Sequence, residues 1–261
     1  MPTQKLTQFS CHYIYDDSGH DKTLVLSNSL GCTTEMWQEN IIDLQKHFNI
    51  LRYDNRGHGK STAASEHATI EDLANDLLEL IDILRLKNIS FCGISIGGQI
   101  GLWLALNVAE RFEKIIICNT APKIGTIENW NERIEFVRQN GLAPLVPSIQ
   151  ERWFTEKTIK NQSEIVEQIM TSFQKTTFEG YASCASAVAT ADFREQLQSI
   201  QIPILIISGQ YDETTTVEHA IEMQQQIANS RHVNLMSNHI SNVDQSKEFT
   251  HAIIEFIKPT V

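Results

Sequence analysis

Ile89-Ser90-Phe91-Cys92-Gly93-Ile94-Ser95-Ile96-Gly97-Gly98 is the stretch that decides the fold of this 261-residue chain. Its first residues are β-branched, apolar or small, the signature of a buried strand, and Gln99 to Ala109 continues with a helical pattern. Between them lies G-x-S-x-G. A serine on a strand-to-helix turn takes a strained backbone conformation, and a Cβ two residues before or after it would crowd the turn. Gly93 and Gly97 remove that crowding. The Ser95 hydroxyl then stands at a helix N-terminus, where backbone N–H groups and the helix dipole favour negative charge developing during attack. G-x-S-x-G also occurs by accident in glycine-rich turns; the flanking strand and helix favour the nucleophile.

Outward from this turn, short β-branched runs alternate with longer helical segments. The strand candidates are 23–26, 50–54, 89–93, 115–118, 204–208 and 233–236. Ile70 to Leu86 puts Leu73, Leu77, Leu80, Ile81 and Leu84 on one stripe, as a helix covering a sheet requires. The alternation predicts an α/β fold with a mostly parallel central sheet flanked by helices. From about Pro122 to Ile200 the helical pattern persists without a convincing strand. The expected organisation is a core of residues 1–121 and 201–261 with a helical lid, 122–200, over the C-terminal edge of the sheet, where open parallel sheets bind ligands.

The net charge is −11 and no run of five basic residues occurs, so the footprint of a nucleic-acid or anionic-membrane binder is missing. The N-terminal stretch lacks a continuous apolar core, and no apolar run approaches the roughly 18 residues needed to span a bilayer. The expected location is the cytoplasm and the expected partner a small molecule. Five cysteines lie far apart with no C-x-x-C pairing, which speaks against a disulfide framework and a zinc site. No dinucleotide or phosphate loop is visible, so no cofactor and no metal are expected. Nothing in the chain sets the oligomeric state.

A serine hydroxyl needs an imidazole to take its proton. Downstream of Ser95 stand His219, His232, His239 and His251. His219 and His251 fall on helical patterns and His232 opens a strand, whereas His239 follows the last strand in the polar loop 237–242. His239 is therefore the candidate base. Asp212, beyond the buried strand Ile204 to Gly209, is the candidate acid; Glu213 competes but has the longer reach. After the strand ending at Cys118 stand Asn119 and Thr120, with no carboxylate. Acyl transfer also needs two backbone donors for the oxyanion. Ile96 N–H supplies one, and the loop Ser27-Asn28-Ser29-Leu30-Gly31 places the other at Leu30.

With these residues in place the chain resembles the α/β-hydrolase superfamily along its whole length. Tyr53-Asp54-Asn55-Arg56-Gly57-His58-Gly59-Lys60-Ser61 resembles that superfamily's D-x-R-G-H-G-x-S turn, which implies a structural His58. More narrowly it is similar to 3-oxoadipate enol-lactonases of the bacterial β-ketoadipate pathway. The similarity rests on Ser27 to Gly31, on Asn119-Thr120-Ala121 with Ile124-Gly125-Thr126 and Trp130-Asn131-Glu132-Arg133-Ile134, on Arg152-Trp153-Phe154-Thr155, on Gly180-Tyr181 with Cys184, and on His239 to Gln245. Departures are Thr215-Thr216 where relatives often have Thr-Pro, Asn238 where a Gly or Ala usually precedes the histidine, and Ser246 in place of a Pro.

The resemblance implies a small anionic lactone as substrate. Trp130 and Arg133, three residues apart on one helix face, and Trp153 are the candidate substrate contacts, with Arg138 and Arg152 as further lid arginines. A general carboxylesterase or perhydrolase would use the same triad. A ligand receptor on a hydrolase scaffold would also keep the fold.

Overall fold

The computed structural model describes residues 2–63, 65 and 67–258. Among the described residues eight strands form one sheet: β1 (Thr3–Lys5), β2 (Ser10–Asp16), β3 (Thr23–Ser27), β4 (Asn49–Tyr53), β5 (Ile89–Ile94), β6 (Lys114–Cys118), β7 (Ile204–Gly209) and β8 (Ser230–Leu235). Their order is β1-β2-β4-β3-β5-β6-β7-β8. From β4 to β8 every pairing is parallel; β1 and β2 join antiparallel at one edge. The helices are α1 (Gln38–Leu44), α2 (Ile70–Leu84), α3 (Ile96–Asn107), α4 (Ile127–Asn140), α5 (Val146–Trp153), α6 (Glu156–Asn161), α7 (Ser163–Lys175), α8 (Phe178–Thr190), α9 (Val217–Gln226), α10 (Ser241–Asp244) and α11 (Ser246–Ile257).

The inner strands β3, β5 and β7 are buried at every residue, which is why they read as apolar runs and not as alternating ones. Helix α2 starts at Thr69, whose hydroxyl accepts from Asp72 N–H while the Asp72 carboxylate accepts from Thr69 N–H, and it ends where Arg85 turns left-handed. Its buried face carries Leu73, Leu77, Leu80 and Ile81.

Two strands, β1 and β2, are absent from the sequence expectation. In β2, Ser10-Cys11-His12-Tyr13-Ile14-Tyr15-Asp16, polar residues interrupt the apolar ones, because this antiparallel strand, next to the edge strand β1, is only partly covered along most of its length. Likewise β8 begins at Ser230, three residues before the apolar run, since an edge strand tolerates Ser230, Arg231 and His232.

Between β6 and β7 the described residues contain helices α4 to α8 and no strand. Helix α4 packs on α8, and α5 on α7. The T-shaped Trp153–Phe173 pair, 5.5 Å between centroids, joins α5 to α7, and the Phe173–Tyr181 pair at 6.3 Å joins α7 to α8. Among the described residues no helix is long and apolar enough to cross a membrane.

Candidate active site

Strand β5 delivers the chain to Ser95, which takes φ 60° and ψ −115° immediately before α3. A positive φ on a serine costs on the order of 1–3 kcal/mol and survives only when its surroundings enforce it. Here Ser95 N–H donates to Cys118 O at 2.9 Å, and Ser95 O accepts from the Thr120 hydroxyl at 2.8 Å and from Gln99 N–H at 3.1 Å. The close packing of this turn is visible at the two glycines. A Cβ on Gly93 would lie 2.2 Å from Gly97 O, and one on Gly97 would lie 2.5 Å from Ser27 O. Helix α3 opens at Ile96, not at Gln99 as its composition suggests, because Gly97 and Gly98 serve close approach within the helix instead of a turn before it. As the first helical residue, Ile96 has an N–H with no acceptor inside the helix.

The loop after β7 carries Asp212 and the loop after β8 carries His239. His239 Nδ1–H donates to Asp212 Oδ2 at 2.7 Å, with both side chains buried. The carboxylate is held from several sides: Oδ1 accepts from Thr214 N–H at 2.9 Å and Thr215 N–H at 3.1 Å, and Oδ2 from the Thr215 hydroxyl at 2.7 Å. Burial alone would raise this carboxyl, but the His239 charge and the hydrogen bonds from His239 and Thr215 outweigh it and keep Asp212 well below the usual carboxylate range. Glu213 is exposed.

The remaining histidines have other partners. His219 caps α9 by accepting from Thr216 N–H, His232 meets the Ser208 hydroxyl at 2.8 Å, and His251 pairs with Glu255 on the surface. His58 is fully buried, its Nε2 accepting from Gly31 N–H at 2.9 Å and its Nδ1 meeting Arg56 O at 3.0 Å. It thereby anchors the loop that carries Leu30.

Asn119 also belongs to this cluster; the sequence shows no carboxylate at its position and gives no sign of the contacts its amide makes. Its amide donates to Asp212 Oδ2 at 3.1 Å and to Asn238 O at 3.2 Å, while its own oxygen accepts from the Ser241 hydroxyl at 2.7 Å. Its φ of 43° is a second mark of a constrained site.

Ser95 and His239 line one cavity together with Ser29 and Leu30, and the helices between β6 and β7 close it with Trp130, Arg133, Ile149, Arg152, Trp153, Phe173, Tyr181 and Val188. With Nδ1 engaged by Asp212, the ring has Nε2 left for the serine. Among the described residues no hydrogen bond yet joins Ser95 Oγ to that nitrogen, and catalytic contacts of this kind commonly tighten only when substrate is bound. Arg133 donates from Nε to the Tyr181 hydroxyl at 2.6 Å and lies 5.9 Å over the Trp130 ring. Arg152 donates to Ser148 O at 3.3 Å; burial and the charge of Arg133 pull its pKa below the ordinary guanidinium value. Among the described residues neither arginine is paired with a carboxylate. Arg138 lies over the Phe178 ring beside Glu135, outside the cavity walls. A larger cleft, about 710 Å³, opens between β2 and α7, but its walls include Glu35, Glu164 and Glu167 and not Ser95 or His239, so it holds none of this chemistry.

The likeness to known proteins is close. The chain is 42% identical to 3-oxoadipate enol-lactonase 2 of Acinetobacter baylyi over 235 residues, covering 90% of this chain and 88% of that one, and residues 22–144 match the alpha/beta hydrolase fold model. The chain belongs to the α/β-hydrolase family. 3-Oxoadipate enol-lactonase 1 of the same organism is 40% identical over the same coverage. The enol-lactonase crystal structure from Burkholderia xenovorans LB400 superposes with a TM-score of 0.95 at 38% identity, covering 98% of this chain and 99% of that one.

Proposed function

We infer that this α/β-hydrolase is a serine lactonase that opens 3-oxoadipate enol-lactone to 3-oxoadipate, a step of the β-ketoadipate pathway of aromatic catabolism. The observation that carries this reading is the His239–Asp212 pair at 2.7 Å, on the wall of a cavity shared with Ser95 and roofed by two arginines that form no ion pair with a carboxylate among the described residues. Relatives bearing the enol-lactonase name at 40–42% identity support the choice of substrate.

In this reading Ser95 attacks the lactone carbonyl as His239 Nε2 takes its proton. Asp212 holds the imidazole in the required tautomer and stabilises its protonated form. The tetrahedral oxyanion rests on the amides of Leu30 and Ile96. Collapse breaks the ring C–O bond; the enolate oxygen that leaves, far more stable than an alkoxide, takes the proton back from His239 and stays tethered to the acyl-enzyme as an enol that becomes the ketone. Water activated by His239 then attacks the acyl carbon and frees Ser95. The substrate carries a carboxylate, which Arg133 meets with Arg152 beside it, while Trp130 and Trp153 supply the apolar walls. We also place the enzyme in the cytoplasm, a compartment that suits five buried, free thiols.

The test is to generate the enol-lactone in place, add purified protein and follow loss of its ultraviolet absorbance beside Ser95→Ala. The wild-type protein turns the lactone over and Ser95→Ala loses at least about a thousandfold in kcat. Retained activity in Ser95→Ala, or hydrolysis of neutral p-nitrophenyl esters with no lactone turnover, rejects the assignment, the latter in favour of a general carboxylesterase.

A further inference from the structure

Helix α5 ends in an unusual way. The last carbonyls of an α-helix have no partner within it and must find donors elsewhere. In α5, Gln150 O is taken by Phe154 N–H at 3.1 Å, and the next three are capped by the loop that holds the candidate base. Glu151 O accepts from the Asn238 side-chain amide at 2.9 Å, Arg152 O from His239 N–H at 3.3 Å and Trp153 O from Ile240 N–H at 3.0 Å. The same Asn238 amide also donates to Phe154 O at 3.0 Å. Asp244 fastens the seam from below, accepting from Asn238 N–H at 2.7 Å and from Thr155 N–H at 3.1 Å.

Arg152 thus has two ends with different duties. Its side chain lines the cavity with Ser95, half-buried, unpaired with any carboxylate among the described residues and facing the like charge of Arg133. Its backbone carbonyl holds the amide of His239. An anion that draws the guanidinium inward therefore pulls on the helix end against which the imidazole is set.

We propose that Asn238 is a positioning residue which, by capping the end of α5, couples binding of the substrate's carboxylate at Arg152 to the placement of the His239 imidazole. The proposal rests on the serine-lactonase reading and adds to it a reason for an anionic substrate to be turned over faster, and not only bound more tightly. Asn238 touches no reacting atom. It acts through the helix end and through its own carbonyl, which accepts from Asn119 at 3.2 Å beside the Asp212 carboxylate.

The experiment is a double-mutant cycle of Asn238→Ala and Arg152→Ala, with kcat and KM measured for the enol-lactone and for neutral p-nitrophenyl acetate. Asn238→Ala lowers kcat for the lactone about tenfold with KM changed less than about twofold, and lowers kcat for the neutral ester by less, so that the preference for the charged substrate falls. In the Arg152→Ala background the same change reduces both substrates by one common factor. Should Asn238→Ala fail to fold, Asn238→Ser, which keeps one donor, takes its place in the cycle. The coupling is overturned if removing Asn238 lowers both substrates equally in the wild-type background, if it changes neither, or if the preference falls just as far without Arg152. Lactone turnover by Ser95→Ala would instead overturn the hydrolase reading itself, so the two failures are separable.

Discussion

Asn119 gives its side-chain amide, at 3.1 Å, to the same Asp212 oxygen that receives the His239 Nδ1–H at 2.7 Å. Asn119→Ala leaves that oxygen with one donor fewer, so that only His239, Thr214 and Thr215 hold the carboxylate. We expect kcat for the lactone to fall about tenfold with little change in KM, the magnitude of one hydrogen bond to a charged group. The left-handed backbone at this position adds a stability loss of about 1 kcal/mol for alanine. Steady-state kinetics and a thermal melt separate the two effects; an unchanged kcat would detach Asn119 from the reaction.

Arg133 is held toward the cavity by the Tyr181 hydroxyl at 2.6 Å. Arg133→Ala raises KM for the charged lactone by at least about tenfold and KM for p-nitrophenyl acetate much less, as loss of a charge-assisted bond requires. Tyr181→Phe, which only unlatches the guanidinium, gives a smaller change in the same direction. Equal effects on both substrates would remove Arg133 from the site.

The His58 ring must be neutral to work, because a protonated Nε2 has no lone pair for the Gly31 N–H it accepts. Burial lowers its pKa from the ordinary 6.5. A histidine depressed in the folded state contributes full stability above its unfolded value and loses it as pH falls from there toward the folded value, at up to about 1.4 kcal/mol per pH unit. Thermal melts from pH 7.5 to 5 should show a decline beginning near pH 6.5, with a shallower slope in His58→Gln. Parallel slopes in the two proteins would assign the acid sensitivity elsewhere.

How much of this was legible depended on whether a residue's partners lie near it in sequence. The inner strands announce themselves because burial on both faces writes an unbroken apolar run, as in Ile204 to Ile207. The turn at Ser95 is legible because Gly93 and Gly97 answer a local steric demand. Asp212 and His239 stand out by their loops at the ends of β7 and β8, and the fold brings them to one hydrogen bond. Strands β1 and β2 were not legible, since polar residues on a wetted edge carry little pattern. Asn119 and Asn238 were not legible as structural partners for a different reason. What matters is which atoms their amides reach across 93 and 87 residues of chain, and no spacing encodes that.

The seam between α5 and the histidine loop also limits how the buried chamber can exchange its contents. A roof riveted beside the proton acceptor cannot swing away as one flap without dismantling the machinery beneath it. Exchange that leaves the rivets closed has to use the walls built by α4 and α8, which carry Trp130, Arg133, Tyr181 and Val188.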